Sequence, residues 1–170
     1  MITIRREKPE DIAQVRRINE LAFEQTTEAD LVDKLRQACA ESISLVAEDD
    51  FVVGHILFSP VVIDAGASQL VGMALGPMAV LPERQRQGIG TRLVEHGLEI
   101  IRDRYCPFVV VVGHPEYYPR FGFERSSKYG LASEWENMPD EAFMIAVLDR
   151  EAMQGVSGIV KYRQEFSEFA

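Results

Sequence analysis

The sequence Gln85-Arg86-Gln87-Gly88-Ile89-Gly90-Thr91 joins an apolar run at residues 70–81 to a stretch with helical periodicity. A loop between a strand and a helix N-terminus offers unpaired backbone N–H groups and the positive end of the helix dipole, and both attract an anion. Its two glycines lack side chains, so a phosphate can come close to the backbone. The loop therefore predicts phosphate binding, with Arg84 and Arg86 as added positive charge.

The loop does not match the common nucleotide motifs. No lysine follows the second glycine as in a P-loop, and Leu93 stands where a Rossmann fingerprint has its third glycine. Taken alone, the two glycines are equally compatible with an ordinary helix start. The elements on either side of the loop therefore decide its meaning.

The flanking sequence predicts a strand, the loop, a helix and a second strand. Residues 70–81 are apolar but interrupted by Gly72, Gly76 and Pro77, which favours a buried strand with a bulge. Apolar residues then recur at helical spacing, namely Ile89, Leu93, Gly97 and Ile101. The unbroken apolar run Phe108–Val112 is typical of a central strand covered on both faces, so this unit is a crossover in a mixed sheet.

The N-terminal part predicts a strand at residues 2–6 followed by two helices. The first helix has an apolar stripe formed by Ile12, Val15, Ile18 and Leu21. The second begins with a capping box at Thr27-Glu28-Ala29-Asp30, and its stripe is formed by Leu31, Leu35 and Ala38.

The remaining elements are a hairpin and a C-terminal set of strands. Residues 42–48 and 51–63 are rich in Val, Ile, Leu and Phe, and Asp49-Asp50 between them predicts a tight antiparallel turn. Further on, residues 128–137 are expected to be a polar loop, residues 143–148 a strand and residues 159–162 a last edge strand.

Composition limits the partners of the protein. The 170 residues, 46% of them hydrophobic, suffice for one domain over residues 1–170. Eighteen Lys and Arg against 27 Asp and Glu give a net charge of -9, so the whole-protein field repels polyanions and predicts no nucleic-acid partner. The N-terminus reaches Arg5 before any long apolar run, so neither a signal peptide nor a membrane span is expected.

Cysteines and histidines are few and scattered. Cys39 and Cys106 form no redox or metal-binding pattern, which favours a reduced, cytoplasmic protein. The histidines also lie in no ligand-spaced cluster, and we expect no metal; they are His55, His96 and His114. His55 is expected to pack in the hairpin, and His96 to lie on the polar side of its helix.

Two motifs together suggest a family. The loop resembles the Q/R-x-x-G-x-G/A signature of the GNAT N-acetyltransferase superfamily, where it follows a bulged strand, and Met78-Ala79-Val80-Leu81-Pro82-Glu83 resembles that family's cofactor-binding strand. The sequence Tyr118-Pro119-Arg120-Phe121-Gly122-Phe123 resembles its Y-x-x-x-G-F segment. The turn Gly113-His114-Pro115-Glu116-Tyr117 is similar to that of a branch of small predicted bacterial acetyltransferases. The resemblance covers nearly the whole chain.

The resemblance implies a GNAT-like acyl-coenzyme A N-acyltransferase fold of the mixed α/β class. A central, mostly antiparallel sheet would contain a splayed parallel strand pair and carry flanking helices. Acetyl-coenzyme A would be the co-substrate, with its pantetheine arm between the splayed strands and its pyrophosphate on the loop. The implied cofactor-binding residues are Met78, Ala79, Val80, Gln85, Arg86, Gln87, Gly88, Ile89, Gly90, Thr91 and Tyr118.

The resemblance also assigns catalytic roles. The backbone N–H of Met78 would stabilise the tetrahedral oxyanion, and Tyr118 would act as the general acid that protonates the departing thiolate. Register against Gly122-Phe123 favours Tyr118 over Tyr117, although aromatic residues in such a turn usually only pack. Without the resemblance, the sequence favours a packing role for both tyrosines.

The general base is the point where the chain departs from the family. Some members carry a glutamate where this sequence has Ala74. His114 is a candidate base because histidine titrates near neutrality, and bonding to local backbone is its alternative role. Glu116, a chain of waters, or uptake of a neutral amine are the other options.

These observations predict an enzyme that moves an acetyl group onto a primary amine by direct attack in a ternary complex. The acceptor would be a small molecule or a peptide, with a homodimer as a possible assembly and with no nucleic acid or membrane involved. A non-catalytic acyl-coenzyme A-binding module is the alternative, because Ala74 removes the expected base.

Overall fold

The computed structural model describes residues 1–168, and these form two compact units. The first comprises Met1–Ser59 and Gly76–Glu99, and the second comprises Pro60–Leu75 and Ile100–Glu168. The prediction of one domain over residues 1–170 stays a prediction, and residues 169 and 170 lie outside the described part of the chain.

The first unit contains an antiparallel set of strands. Strand β1 (Thr3–Arg6) pairs with β2 (Ile43–Asp49), which pairs with the first part of β3 (Phe51–Asp64). Asp49 faces Phe51 in the register, and Asp50 between them has a φ of 56°. The predicted hairpin with its tight turn is therefore confirmed.

Helices α1 (Ile12–Phe23) and α2 (Thr27–Ala38) follow β1 as predicted, but their buried faces differ from the predicted stripes. On α1 the buried residues are Val15, Ile18 and the polar Asn19, whereas Ile12 and Leu21 are exposed. A polar residue on the core side was missed because it interrupts the apolar pattern.

Helix α2 also begins and packs differently. Its N-cap is Thr26, with no side-chain hydrogen bond, so the capping box predicted at Thr27 is wrong. Leu31 and Leu35 are buried as expected, but Ala38 is exposed in the last turn, and Ala29 and Val32 complete the buried face. The stripe therefore lies closer to the helix start than the spacing suggested.

The long strand β4 (Gln69–Val80) precedes helix α3 (Ile89–Asp103), and strand β5 (Phe108–Val112) follows that helix, as the sequence predicted. In the second unit β4 pairs with β5 in parallel, Met73–Leu75 facing Val109–Val111.

The rest of the second unit continues beside β5. Strand β6 (Glu124–Arg125) and strand β7 (Leu131–Ser133) come next in the chain, followed by β8 (Phe143–Val147). The spatial order is β4-β5-β8-β6, and both β5–β8 and β6–β8 are antiparallel. A short helix α4 (Arg150–Met153) then leads to β9 (Gly158–Lys161).

Two C-terminal predictions are wrong. Residues 128–137 are not only a loop, because they contain β7, which pairs in parallel with β9. Strand β9 is not an edge strand either, because it also pairs with Val62–Asp64 of β3 and so lies between β3 and β7. The mixed α/β class is confirmed, because within residues 1–168 the pairs β4–β5 and β7–β9 are parallel, whereas pairs such as β1–β2 are antiparallel.

The core of the second unit is built around Phe108. This side chain is fully buried together with Val110, Ile145 and other apolar residues. A Cβ atom on Gly72 would lie only 2.5 Å from its Cζ atom, so Gly72 is a position where strand β4 approaches a ring closely. None of the helices among residues 1–168 combines the length and apolar character that crossing a bilayer requires.

Candidate active site

The last residues of β4 leave the regular strand conformation. Gly76 has a φ of 140°, which a residue with a side chain rarely adopts, and Pro77 has no N–H to donate to a ladder. Pro77 and Ala79 are buried, whereas Met78 and Val80 are half-buried on the alternate positions. The β4 bulge itself stays a prediction, but the irregularity occurs where the sequence placed it.

The segment after β4 is fixed by an irregularity in the hairpin. Ala47 faces Gly54 and Glu48 faces Val52, so Val53 is an extra residue in β3. The carbonyl of Val53 accepts a hydrogen bond of 2.9 Å from the N–H of Leu81. A β-bulge thus frees a carbonyl that anchors the chain as it leaves β4.

The glycine-containing loop has the geometry of an anion site. Gly88 has a φ of 82°, and a Cβ atom built on it would meet no atom within 4 Å. The N–H of Arg92 donates to the carbonyl of Gly88 at 3.1 Å, which is the first bond of α3. Because the amides of Ile89 and Gly90 precede that bond, the helix supplies them no acceptor. They are available to an anion, with the helix dipole behind them.

Two further contacts shape the loop. The Gln85 side chain donates from Nε2 to the carbonyl of Val80 at 3.0 Å, which ties the loop back to the end of β4. Arg86 has a φ of 63°, a left-handed conformation that is uncommon for a residue with a side chain. Such strain is often found at binding sites.

The two arginines of the loop differ in their surroundings. Arg84 forms an ion pair of 2.8 Å with Asp49, and this contact lowers the pKa of the Asp49 carboxyl. Arg86 is exposed. The prediction that both add charge to the anion site is therefore modified, because the Arg84 charge is already balanced within the first unit.

Tyr118 lies in the second unit, at the start of a 3₁₀ turn (Tyr118–Phe121). Only 7% of the residue is exposed, and its ring packs edge-on against Tyr117 and Phe123 at centroid distances of 5.1 Å and 5.7 Å. Burial, and to a smaller extent Tyr117, raises the pKa of the Tyr118 phenol. A phenol is protonated at neutral pH even at its ordinary pKa of about 10, so the Tyr118 hydroxyl carries a proton that it can donate, and the raised pKa makes it a weaker acid than a free phenol.

The neighbouring Tyr117 has a different environment. It is half-buried, and the Arg120 guanidinium carbon lies 4.5 Å from its ring centroid. The Arg120 Nε–H also donates to the Tyr117 carbonyl at 2.8 Å. Its ring is therefore held by a local cation–π contact.

The candidate bases are exposed. His114 and Glu116 lie on the turn after β5, and the His114 carbonyl accepts from the N–H groups of Tyr117 (3.1 Å) and Tyr118 (3.4 Å). The backbone of His114 thus shapes the turn that presents Tyr118. Ala74 is buried in the apolar core of the second unit with Phe108.

The fully buried His55 contacts two polar residues of the first unit, the buried Asn19 and the half-buried Ser44, in a cluster that the sequence did not predict as a group. His55 is fully buried, as expected for the hairpin, with its Nδ1 atom 3.3 Å from Asn19 Nδ2 and its Nε2 atom 2.9 Å from Ser44 Oγ. Burial, with a smaller contribution from the Arg36 charge, lowers the pKa of His55 to about 3. His96 is exposed on α3, also as expected.

The predicted residues thus fall into two groups. Residues 78–80 and 85–91 belong to the first unit and are linked by the contact between Gln85 and Val80, whereas Tyr118 and His114 share one turn of the second unit. Residues 1–168 contain no group of three or more His, Cys, Asp and Glu side chains that could hold a metal ion. The expected absence of a metal stays a prediction.

Comparison with known proteins gives the same family from sequence and from structure. The family model described as "Acetyltransferase (GNAT) domain" matches residues 3–126. The chain is 36% identical to the uncharacterized N-acetyltransferase YhbS of Escherichia coli K12 over 168 residues, which is 98% of this chain and 99% of that protein.

Two solved structures are similar over nearly the whole chain. The crystal structure of Escherichia coli YhbS in complex with CoA has a TM-score of 0.92 at 33% identity, covering 99% of this chain and 93% of that one. A GNAT family acetyltransferase from Brucella melitensis in complex with acetyl-CoA has a TM-score of 0.79 at 36% identity, covering 98% of both chains.

Proposed function

The chain belongs to the GNAT acetyltransferase family, and on this basis we propose that it transfers the acetyl group of acetyl-coenzyme A to a primary amine. The two similar structures were solved with CoA and with acetyl-CoA, which supports the same co-substrate here. The compartment we propose is the cytoplasm, on the composition and the cysteine spacing, and the homodimer stays a prediction.

The pyrophosphate of acetyl-coenzyme A would lie on residues 85–91. The open space beside Gly88 and the first-turn amides of α3 support this placement, because a phosphate needs both close backbone approach and N–H donors. The backbone of Met78, Ala79 and Val80 would hold the pantetheine arm, as the family resemblance implies.

The reaction would be a direct transfer. The amine nitrogen attacks the thioester carbon, and the Met78 N–H stabilises the oxyanion that forms. The C–S bond then breaks, Tyr118 gives its proton to the thiolate, and the amine loses its extra proton to His114 or to solvent. Cys39 and Cys106 stand in no arrangement for a covalent intermediate, and the nearness of the two bound substrates favours the direct route.

The alternative of a non-catalytic acyl-coenzyme A-binding module is not favoured. Ala74 would support it, but the relative with 36% identity over 98% of this chain is named an N-acetyltransferase.

The phosphate loop is the observation that supports the proposal most directly, and Gly88→Asn tests it. Asparagine tolerates a positive φ better than other residues with a side chain, so the fold should be kept while the side chain occupies the phosphate position. Loss of charge-assisted bonds should weaken CoA binding by roughly 10- to 100-fold, measured by calorimetry.

Gly66→Asn is the matched control. Gly66 has a φ of 85°, and a Cβ atom on it also meets nothing within 4 Å, but it lies in the loop between β3 and β4. This variant should cost similar conformational energy and bind CoA like the parent. Equal CoA affinity in Gly88→Asn and the parent would refute the loop assignment.

A further inference from the structure

We infer that Gly113 is a positioning residue for Tyr118, so that the missing side chain at Gly113 sets where the phenol lies. The inference rests on the proposed role of Tyr118 as the general acid. Gly113 follows β5 directly and belongs to the same unit as Tyr118.

The distance between the two residues leaves no room for a methyl group. A Cβ atom on Gly113 would lie 2.3 Å from Cε2 and 2.9 Å from Cδ2 of the Tyr118 ring. The Cε2 atom is bonded to the carbon that bears the hydroxyl. An ordinary contact begins near 3.4 Å, so an alanine requires a displacement of about 1 Å at that end of the ring.

The backbone at Gly113 is held in place. Its N–H donates to the carbonyl of Ala142 at 2.9 Å, next to the register pair Val112 and Phe143. The strain of such a substitution therefore falls on the Tyr118 ring rather than on the chain at Gly113. On its other edges the ring already contacts Tyr117 and Phe123.

Conformation gives no second reason for a glycine. Gly113 does not have a positive φ, unlike Gly88 or Gly122, so an alanine fits its backbone. The close approach of the Tyr118 ring is then the reason why this position requires a glycine. A Gly113→Ala variant therefore changes only the steric contact with the Tyr118 ring.

The first experiment is a crystal structure of the full-chain Gly113→Ala variant. The Tyr118 ring should move by about 1 Å at Cε2, with the hydrogen bond to Ala142 retained. A structure in which the methyl group is accommodated and the Tyr118 ring has not moved would overturn the inference.

The second experiment is a double-mutant cycle with an amine that stimulates acetyl-coenzyme A turnover. A misplacement of about 1 Å in a reacting group costs on the order of a hundredfold, so Gly113→Ala should lower kcat by that factor and leave the KM for acetyl-coenzyme A nearly unchanged. In the Tyr118→Phe background the same substitution should lower kcat less than about threefold, because the hydroxyl is already absent. Additive losses in the cycle would contradict a role through Tyr118.

Gly72→Ala is the matched steric control. Its Cβ atom would lie 2.5 Å from the Phe108 ring in the same unit, so it should lower stability but not kcat per folded molecule. An equal kcat loss in this variant would mean general packing damage and would overturn the inference.

The Tyr118→Phe variant separates the two proposals. If Tyr118→Phe has no effect on kcat, the proposed role of Tyr118 as the acid fails. If Tyr118→Phe is slow but Gly113→Ala has a normal kcat, only the positioning inference fails.

Discussion

Tyr117 and Tyr118 are adjacent phenols with different surroundings. Tyr118 is buried against other rings with a raised pKa, whereas Tyr117 is half-buried beneath the Arg120 guanidinium. The sequence register against Gly122-Phe123 favours Tyr118 as the acid, and the ring packing alone fits the alternative role of a packed aromatic residue. The catalytic role of Tyr118 stays a proposal, and a variant that lacks only the hydroxyl oxygen can test it.

Removing the Tyr118 hydroxyl should slow the chemical step without weakening binding. Tyr118→Phe keeps the ring contacts and deletes the proton donor, so turnover should fall about a hundredfold or more. Steady-state kinetics measures the rate, while calorimetry and thermal unfolding should show CoA affinity and melting temperature nearly unchanged.

Tyr117→Phe is the control for that variant. Its ring contacts are local, so turnover should stay close to the parent value. The opposite outcome, a slow Tyr117 variant and a normal Tyr118 variant, would move the acid one residue along the chain. Normal rates in both would assign the proton to solvent.

Some site residues could not be found from the sequence. Gly113 looks like any turn glycine until the structure places the Tyr118 ring 2.3 Å from its missing Cβ. The Val53 bulge is equally hidden, because an extra residue in one strand depends on how its partner is paired. Both are tertiary contacts with no local signal.

Among the elements, those with a strong hydrophobic period were predicted well. The hairpin, α3 and Phe108–Val112 have long or unbroken apolar patterns, and all three are confirmed. Strand β7 was missed because three residues cannot show a period. The position of β9 was missed because both of its pairing partners, β3 and β7, are distant in sequence.

Acid should destabilise the protein through His55. The folded pKa of about 3 lies below the ordinary 6.5, so below pH 6.5 the unfolded chain binds the additional proton. The free energy of unfolding should then fall by about 1.4 kcal/mol per pH unit between roughly pH 6 and pH 5, measured by urea unfolding. The contribution is fully present above pH 6.5 and is lost as the pH falls.

Two variants separate His55 from other titrating groups. His55→Gln should be less stable at pH 7 and should lose most of that slope, whereas the exposed His96→Gln should keep it. Identical slopes in the parent and in His55→Gln would show that His55 is accessible to protons in the folded state.

For the whole molecule, the charge of -9 opposes a polyanionic ligand, yet the proposed co-substrate carries phosphates. At about 0.1 M salt, charges more than about 10 Å apart are largely screened. The attraction of the phosphates to this loop is therefore determined by the nearby groups, which are the amides near Gly88 and the exposed Arg86. Net charge excluded nucleic acid as an expected partner but says little about a small anion on a helix N-terminus.

The family could be predicted from two short motifs because the residues of both motifs set the conformation of the backbone. A glycine loop before a helix and an aromatic turn after an apolar strand impose conformations that few sequences share. The identity of the acceptor amine did not follow, because no motif in the sequence identifies the residues that would contact it.

Acetyl transfer to an amine is tested by measuring thiol release from acetyl-coenzyme A in the presence of a panel of amines, with mass spectrometry of the products. We expect that at least one amine stimulates thiol release and that an equal amount of that amine becomes acetylated. Tight binding of acetyl-coenzyme A with no release above the amine-free rate for any polyamine, amino acid, lysine-containing peptide or free peptide N-terminus would contradict the claim and favour the non-catalytic module.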